Sequence, residues 1–195
     1  MRIGAAAEAW AATGFEVEEG STRIGHVRLR FEPGEEGITG WSLIGAGSTA
    51  IDGLPTRLAA PEDAVEMHAS HPNDARRIDH LVVFTPDLGR TTTALEGAGI
   101  DLRRVREPDE SPGPPVRQAF FRLGEVILEV VENPRLDSGP ARFWGITLAV
   151  GDLDACAAQL GNRLGEVRDA VQPGRRIATV RRQAGLGLPV ALISP

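Results

Sequence analysis

Two short apolar runs set the pattern of the chain. Residues 78–84 (IDHLVVF) are rich in strand formers, and the turn signal Thr85-Pro86-Asp87 leads into a helical spacing over 88–98 that Gly99 ends. Residues 143–150 (FWGITLAV) repeat the arrangement, with a second helical spacing over 152–160. The pairs His80/Gly145, Phe84/Ala149, Asp87/Asp152 and Leu88/Leu153 keep a constant offset of 65, the mark of an internal repeat. After the first helix the pattern predicts a strand at 100–106, a Pro/Glu-rich loop through Pro115, and a hairpin of strands 116–122 and 125–131 about Leu123-Gly124. After the second it predicts strands near 164–168, at 176–181 and at 189–193. Each repeat therefore reads strand, helix, strand, strand, strand.

The N-terminal residues follow part of the same order. Residues 5–13 read as a short helix ended by Gly14, and strands are expected at 15–17, 22–31 and 38–44. Thr13-Gly14-Phe15-Glu16-Val17 parallels Ala98-Gly99-Ile100-Asp101-Leu102 at an offset of 85, so this is an incomplete αβββ unit lacking its leading strand. Residues 45–77 have few periodic signals and read as a linker, with a short helix near 61–67. The expected organisation is an incomplete unit over 1–44, a linker over 45–77 and a paired βαβββ domain over 78–195. The fold class is α+β.

Composition narrows the partners. The chain of 195 residues has a net charge of −6, which argues against nucleic acid, because phosphate binding needs clustered positive charge. No segment has the apolar length to span a bilayer, and the start of the chain does not read as a signal peptide. With a single cysteine, Cys156, set in a helical pattern, the expectation is a packed thiol in a cytoplasmic protein. All basic residues are arginine and tyrosine is absent, a chain-wide bias rather than a site signal.

The βαβββ repeat, with Asp79-His80 on the first strand, Pro86-Asp87-Leu88 before the helix and Ile127-Leu128-Glu129-Val130-Val131 on the last strand, resembles the vicinal oxygen chelate superfamily. That group holds glyoxalase I, extradiol dioxygenases, methylmalonyl-CoA epimerase and bleomycin-resistance proteins. The resemblance is strongest over 78–195, and within the group it is most similar to bacterial glyoxalase-like domain proteins. It implies that two βαβββ units pair into a cup-shaped mixed sheet. It also implies a divalent metal held by a first-strand residue and a last-strand carboxylate from each unit. Carried over, the second unit supplies His80 and Glu129, whereas the third offers Gly145 and Ile193 and the first offers Ile44. A resident ion with room for substrate needs three or four protein ligands. No cofactor is therefore expected; a divalent metal is left open on an incomplete site, and the metal-ligand set is empty. A symmetric site with two copies of His80 and Glu129 would require the cup to form between chains.

The candidate catalytic residues are His80 and Glu129. Alternation puts His80 on a strand face with Val82 and Phe84, and Glu129 on one with Ile127 and Val131. A carboxylate among apolar neighbours needs a partner, because an unpaired buried charge costs several kcal/mol or raises its pKa. Three readings stay open: an internal His80–Glu129 hydrogen bond, an acid/base pair touching a ligand, and half of a metal site. The candidate ligand-binding set is His80, Glu129, Val82, Phe84, Trp144 and Gly145, with Gly145 leaving space for a molecule. Trp41 is a further candidate for a pocket wall or the core, and Phe120 and Phe121 split between the two faces of their strand. His68 and His71 read as linker histidines and His26 as a surface or edge position. The glycines at 174, 185 and 187 read as turns.

Three functions compete. The first is a glyoxalase/bleomycin-resistance-like protein that binds a small molecule in its cup without a catalytic metal. The second is a metal-dependent lyase, epimerase or dioxygenase of the same superfamily. The third is a non-catalytic assembly protein, a homodimer in which a sheet edge left open by the incomplete first unit is paired.

Overall fold

The computed structural model describes residues 1–64, 70–108, 116–136 and 138–195. The chain begins with β1 (Arg2–Gly4), α1 (Ala7–Ala11), β2 (Ser21–Ile24), β3 (Val27–Glu32), β4 (Gly37–Ile44) and β5 (Thr56–Ala59). The first sequence repeat follows as β6 (Ala75–Thr85), α2 (Leu88–Gly97), β7 (Leu102–Arg106), β8 (Gln118–Leu123) and β9 (Val126–Glu132). The second consists of β10 (Arg142–Val150), α3 (Leu153–Leu160), β11 (Arg168–Asp169), β12 (Arg176–Thr179) and β13 (Val190–Ile193). The molecule is α+β, built on the expected βαβββ order. It divides into two compact units, one within residues 1–39, 65–79 and 145–195, the other within 40–64 and 80–144.

In the second compact unit β6 pairs in parallel with β9, β9 antiparallel with β8, and β8 antiparallel with β7. The parallel step is possible because α2 and two strands supply the crossover between β6 and β9. Asp87 caps α2, its side chain accepting the Arg90 N–H at 2.9 Å, and Gly99 ends the turn at φ +81°. Leu81 and Val83 on β6, Ala119 and Phe121 on β8, and Leu128 and Val130 on β9 are all buried, as are Leu88 and Leu95 of α2. These residues form the helix-side core, and the alternate residues of the same strands form the opposite face. Another parallel pair, β4 with β5, sets Trp41 opposite Thr56 at one end of a sheet ordered β2-β3-β1-β4-β5.

The first compact unit contains the repeat of β10 and β13 with the same pairing sense: β10 parallel to β13, then β12 and β11 antiparallel in turn. Asp152 caps α3 by accepting the N–H groups of Asp154 and Ala155 at 3.0 and 2.9 Å. The strand expected near 164–168 is reduced to a bridge between Leu164 and Val180 followed by the two residues of β11. Trp10 of α1 lies in an aromatic cluster with Phe15 and Phe31, at 4.9 and 5.1 Å between ring centroids, and donates its indole N–H to the Leu186 carbonyl.

Two strands, β1 and β5, escaped the sequence pattern, and the single strand expected at 22–31 is a hairpin of β2 and β3 turned at Gly25-His26, where Gly25 breaks the run. The N-terminal unit does have a leading strand, β1, which runs parallel to β3 with Ile3 opposite Phe31, the pairing sense of β6 with β9. The unit is abbreviated rather than headless, because β1 is three residues long and the segment expected as a strand at 15–17 joins no ladder. Its last strand is β3, and β4 instead forms the parallel pair with β5. The helix expected near 61–67 is a single 3-10 turn at Pro61–Asp63. Its end, with His68 and residues 109–115 of the Pro/Glu-rich loop, lies outside the described residues.

Candidate functional site

The face of the second compact unit opposite α2 carries the chemistry. Ladder register places His80 beside Ile127, Val82 beside Glu129 and Phe84 beside Val131. Across the hairpin it places Gln118 beside Val131, Phe120 beside Glu129 and Arg122 beside Ile127. Across the next ladder Arg104 stands beside Phe120 and Arg106 beside Gln118. Residues paired directly share a face, so these side chains converge on one surface. Val82 and Val131 are buried, while His80, Phe84, Phe120, Arg106 and Glu129 are half-buried.

The His80 and Glu129 side chains are 16% and 18% exposed, with Nε2 and Oε2 3.9 Å apart. That separation is an electrostatic contact, beyond the length of a hydrogen bond. The hydrogen bond to Glu129 comes instead from Gln118, whose Nε2 donates to Oε1. Burial pushes the Glu129 carboxyl above the usual carboxylate range; nearby His80 and Arg106 and the Gln118 donor pull it back only in part. The amide oxygen of Gln118 is buried and has no hydrogen-bond partner among the described residues. Arg106 lies over the Phe120 ring, 5.9 Å from its centroid, a cation–π placement. Phe84 and Trp144 stack at 5.2 Å with a 33° tilt, and Trp144 is 45% exposed.

Gly145 belongs to the other compact unit. A β-carbon there would stand 2.4 Å from the Pro189 carbonyl oxygen and 2.9 Å from the Pro189 β-carbon. The space expected beside this glycine is filled by the chain, so its lack of a side chain has a packing reason. The counterpart of Glu129 in that repeat also differs from the expectation. Val82 faces Glu129 and the equivalent Thr147 faces Ala191, which puts Ala191, not Ile193, at the carboxylate position. In the N-terminal unit β1 pairs in parallel with β3, so the last-strand position falls on β3 and not at Ile44 of β4.

The ion implied by the resemblance can be tested on these donors. His80 and Glu129 are two; Ala191 and Gly145 bring no ligating side chain. Among the described residues no three His, Cys, Asp or Glu side chains group to hold an ion. This donor set does not fit a resident divalent ion.

The remaining candidates have structural roles. Trp41 is 2% exposed, donates its indole N–H to Thr56 Oγ1 at 2.6 Å and meets Phe143 edge-on. His71 is buried, and both of its ring nitrogens are engaged by backbone. His26 is exposed in the turn after β2. Cys156 gives its thiol proton to the Asn73 carbonyl, and burial pushes the thiol up to about 11. Asp79, next to His80 in sequence, is buried against Arg175 at 3.0 Å and Arg77 at 3.3 Å.

Gln118, Arg106 and the choice of Phe120 over Phe121 were missing from the sequence reading. A usable signal was present: any two-residue hairpin turn preserves parity, so counting back from Glu129 places Phe120, Gln118 and Arg122 on its face.

No protein-family model and no curated protein matches the chain. Among solved structures, methylmalonyl-CoA epimerase from Mycobacterium tuberculosis superposes with a TM-score of 0.51 at 19% identity, covering 66% of this chain and 93% of that one. A hypothetical protein from Bacillus halodurans C-125 gives 0.48 at 14% identity over 61% of this chain and 94% of that one. A Streptomyces coelicolor methylmalonyl-CoA epimerase variant in complex with 2-nitronate-propionyl-CoA gives 0.47 at 24% identity, over 62% and 97%. Together with the βαβββ pairing, the first of these likenesses establishes that the chain has the glyoxalase-like fold, the fold of the vicinal oxygen chelate superfamily.

Proposed function

We propose that this protein binds a small, partly apolar molecule on the β6–β9–β8–β7 face, without a catalytic metal. One observation carries the reading: the Glu129–His80 pair, half-buried among apolar side chains, lies on the face that also exposes Phe84, stacked with Trp144. Apolar walls around a few fixed polar groups are the usual make-up of a small-molecule site. Phenylnaphthylamine, a neutral aromatic dye, is a suitable probe. It is expected to bind with one-to-one stoichiometry, to weaken about tenfold or more in Trp144→Ala and Phe84→Ala, and to be indifferent to chelator. Tight stoichiometric metal in protein purified without chelator, or dye binding untouched by both substitutions, would overturn the proposal.

The raised carboxyl of Glu129 favours a second reading, proton transfer to or from a bound substrate with Glu129 as the acid/base group. A carboxyl held above its ordinary range is closer to the pKa that proton transfer near neutrality requires. The superfamily resemblance suggests acyl thioesters with an acidic α-proton as first substrates. Exchange of that proton for deuterium in methylmalonyl-CoA, followed by NMR, tests it: exchange lost in Glu129→Gln supports the reading, and no exchange by the parent protein removes it.

A further inference from the structure

We propose that the ligand of this face is an organic anion, an aromatic or acyl body carrying a carboxylate or phosphate group, recognised by Arg106 with Arg122 on the same face. This rests on the preceding proposal that the face is a ligand site. The chain as a whole is acidic, at −6, yet among the described residues ladder register brings Arg106 and Arg122 to the face that holds the Glu129 carboxyl.

Arg106 has the features of a recognition group. It stands beside Gln118 in the ladder, one pair away from Glu129, and is half-buried rather than fully solvated. Its guanidinium lies over Phe120, which limits its rotamers before any ligand arrives, so less conformational entropy is lost on binding. A guanidinium presents a planar fork of donors that matches a carboxylate or phosphate in two parallel hydrogen bonds. The Glu129 carboxyl is held back from ionising by its burial and already accepts the Gln118 N–H. An incoming anion meets the Arg106 guanidinium, and its apolar body meets Phe84 and Trp144.

Two dyes separate the parts of this inference. Anilinonaphthalene sulfonate shares the aromatic skeleton of phenylnaphthylamine and adds one anionic group. The anionic dye is expected to bind at least tenfold more tightly at low salt, with the advantage shrinking as salt is raised. Arg106→Gln is expected to remove about tenfold of that advantage, the anionic dye losing more than the neutral one, and Arg122→Gln to remove less. Naphthoate and naphthyl phosphate are the competitors that decide between carboxylate and phosphate; displacement by either supports the proposal, and displacement by neither overturns it. Equal affinity for the two dyes, or an Arg106→Gln variant that weakens both alike, overturns the anion inference and leaves the ligand face standing. Failure of both dyes to bind overturns the face as a site and this inference with it.

Discussion

At the scale of single residues, neighbours explain what identity alone does not. Asp79 and His80 are adjacent in the motif that suggests a metal module, yet Asp79 is tied to Arg175 and Arg77 while His80 turns to the opposite face with Glu129. The alternation of a strand made that division legible; the arginine partners, 96 residues away in the case of Arg175, were not. Gly145 reads from sequence as a missing ligand but is a close approach of two backbones. Gly145→Ala drives a β-carbon into the Pro189 carbonyl, and since that neighbour is main chain it cannot rotate away. The expected loss is about 1–3 kcal/mol, the usual range for overpacking a tight site. Chemical denaturation measures it; a variant as stable as the parent would show that the β10–Pro189 contact is loose.

At the scale of elements, the Asp of each Pro/Gly-Asp-Leu signal is a helix cap, and that is why it repeats at a fixed offset. Asp152 satisfies two of the N–H groups that a helix start leaves without partners. Asp152→Ala is expected to destabilise by about 1 kcal/mol and Asp152→Asn by much less, because the amide oxygen can still accept. A lower denaturation midpoint at constant slope for the alanine variant alone is the supporting result, and equal midpoints for alanine and asparagine would remove the cap as its cause. Capped helices and long apolar strands were legible because each carries a period and a boundary residue. The strands β1 and β5 were not, being three and four residues long, too short to display a period. Their existence is decided by parallel partners, β3 and β4, that no local pattern announces. The β4–β5 pair has the parallel sense of the leading and last strands of a repeat, but only the loop and turns of residues 45–55 join them, with no helix or middle strands.

At the scale of the whole molecule, the composition concentrates pH sensitivity in a few groups. Apart from four histidines the basic side chains are all arginine, and burial pushes the Cys156 thiol up to about 11. His71 is buried, and its surroundings fix the sign of its contribution. Its Nδ1 accepts the Glu16 N–H at 3.1 Å, which leaves Nε2–H to donate to the Arg23 carbonyl at 2.7 Å, a neutral tautomer with both nitrogens used. Burial depresses its pKa, partly offset by the Arg23 carbonyl and by Glu16. The unfolded chain therefore takes up a proton near its ordinary value of about 6.5 while the folded chain resists, and stability is lost as pH falls from there toward the lower folded value. Glu129 has the opposite sign: its folded pKa is raised, the folded chain holds the proton longer, and stability declines as pH rises from about 4.5 through the folded value. Denaturant midpoints measured between pH 5 and 7.5 separate the two. His71→Gln is expected to flatten the fall on the acidic side of 6.5, and Glu129→Gln to steepen it by removing the opposing contribution. A parent protein whose stability rises as pH drops from 7 to 5.5, with His71→Gln making no difference, would mean that the folded chain accommodates a charged imidazole at His71, against the two backbone contacts that hold it neutral.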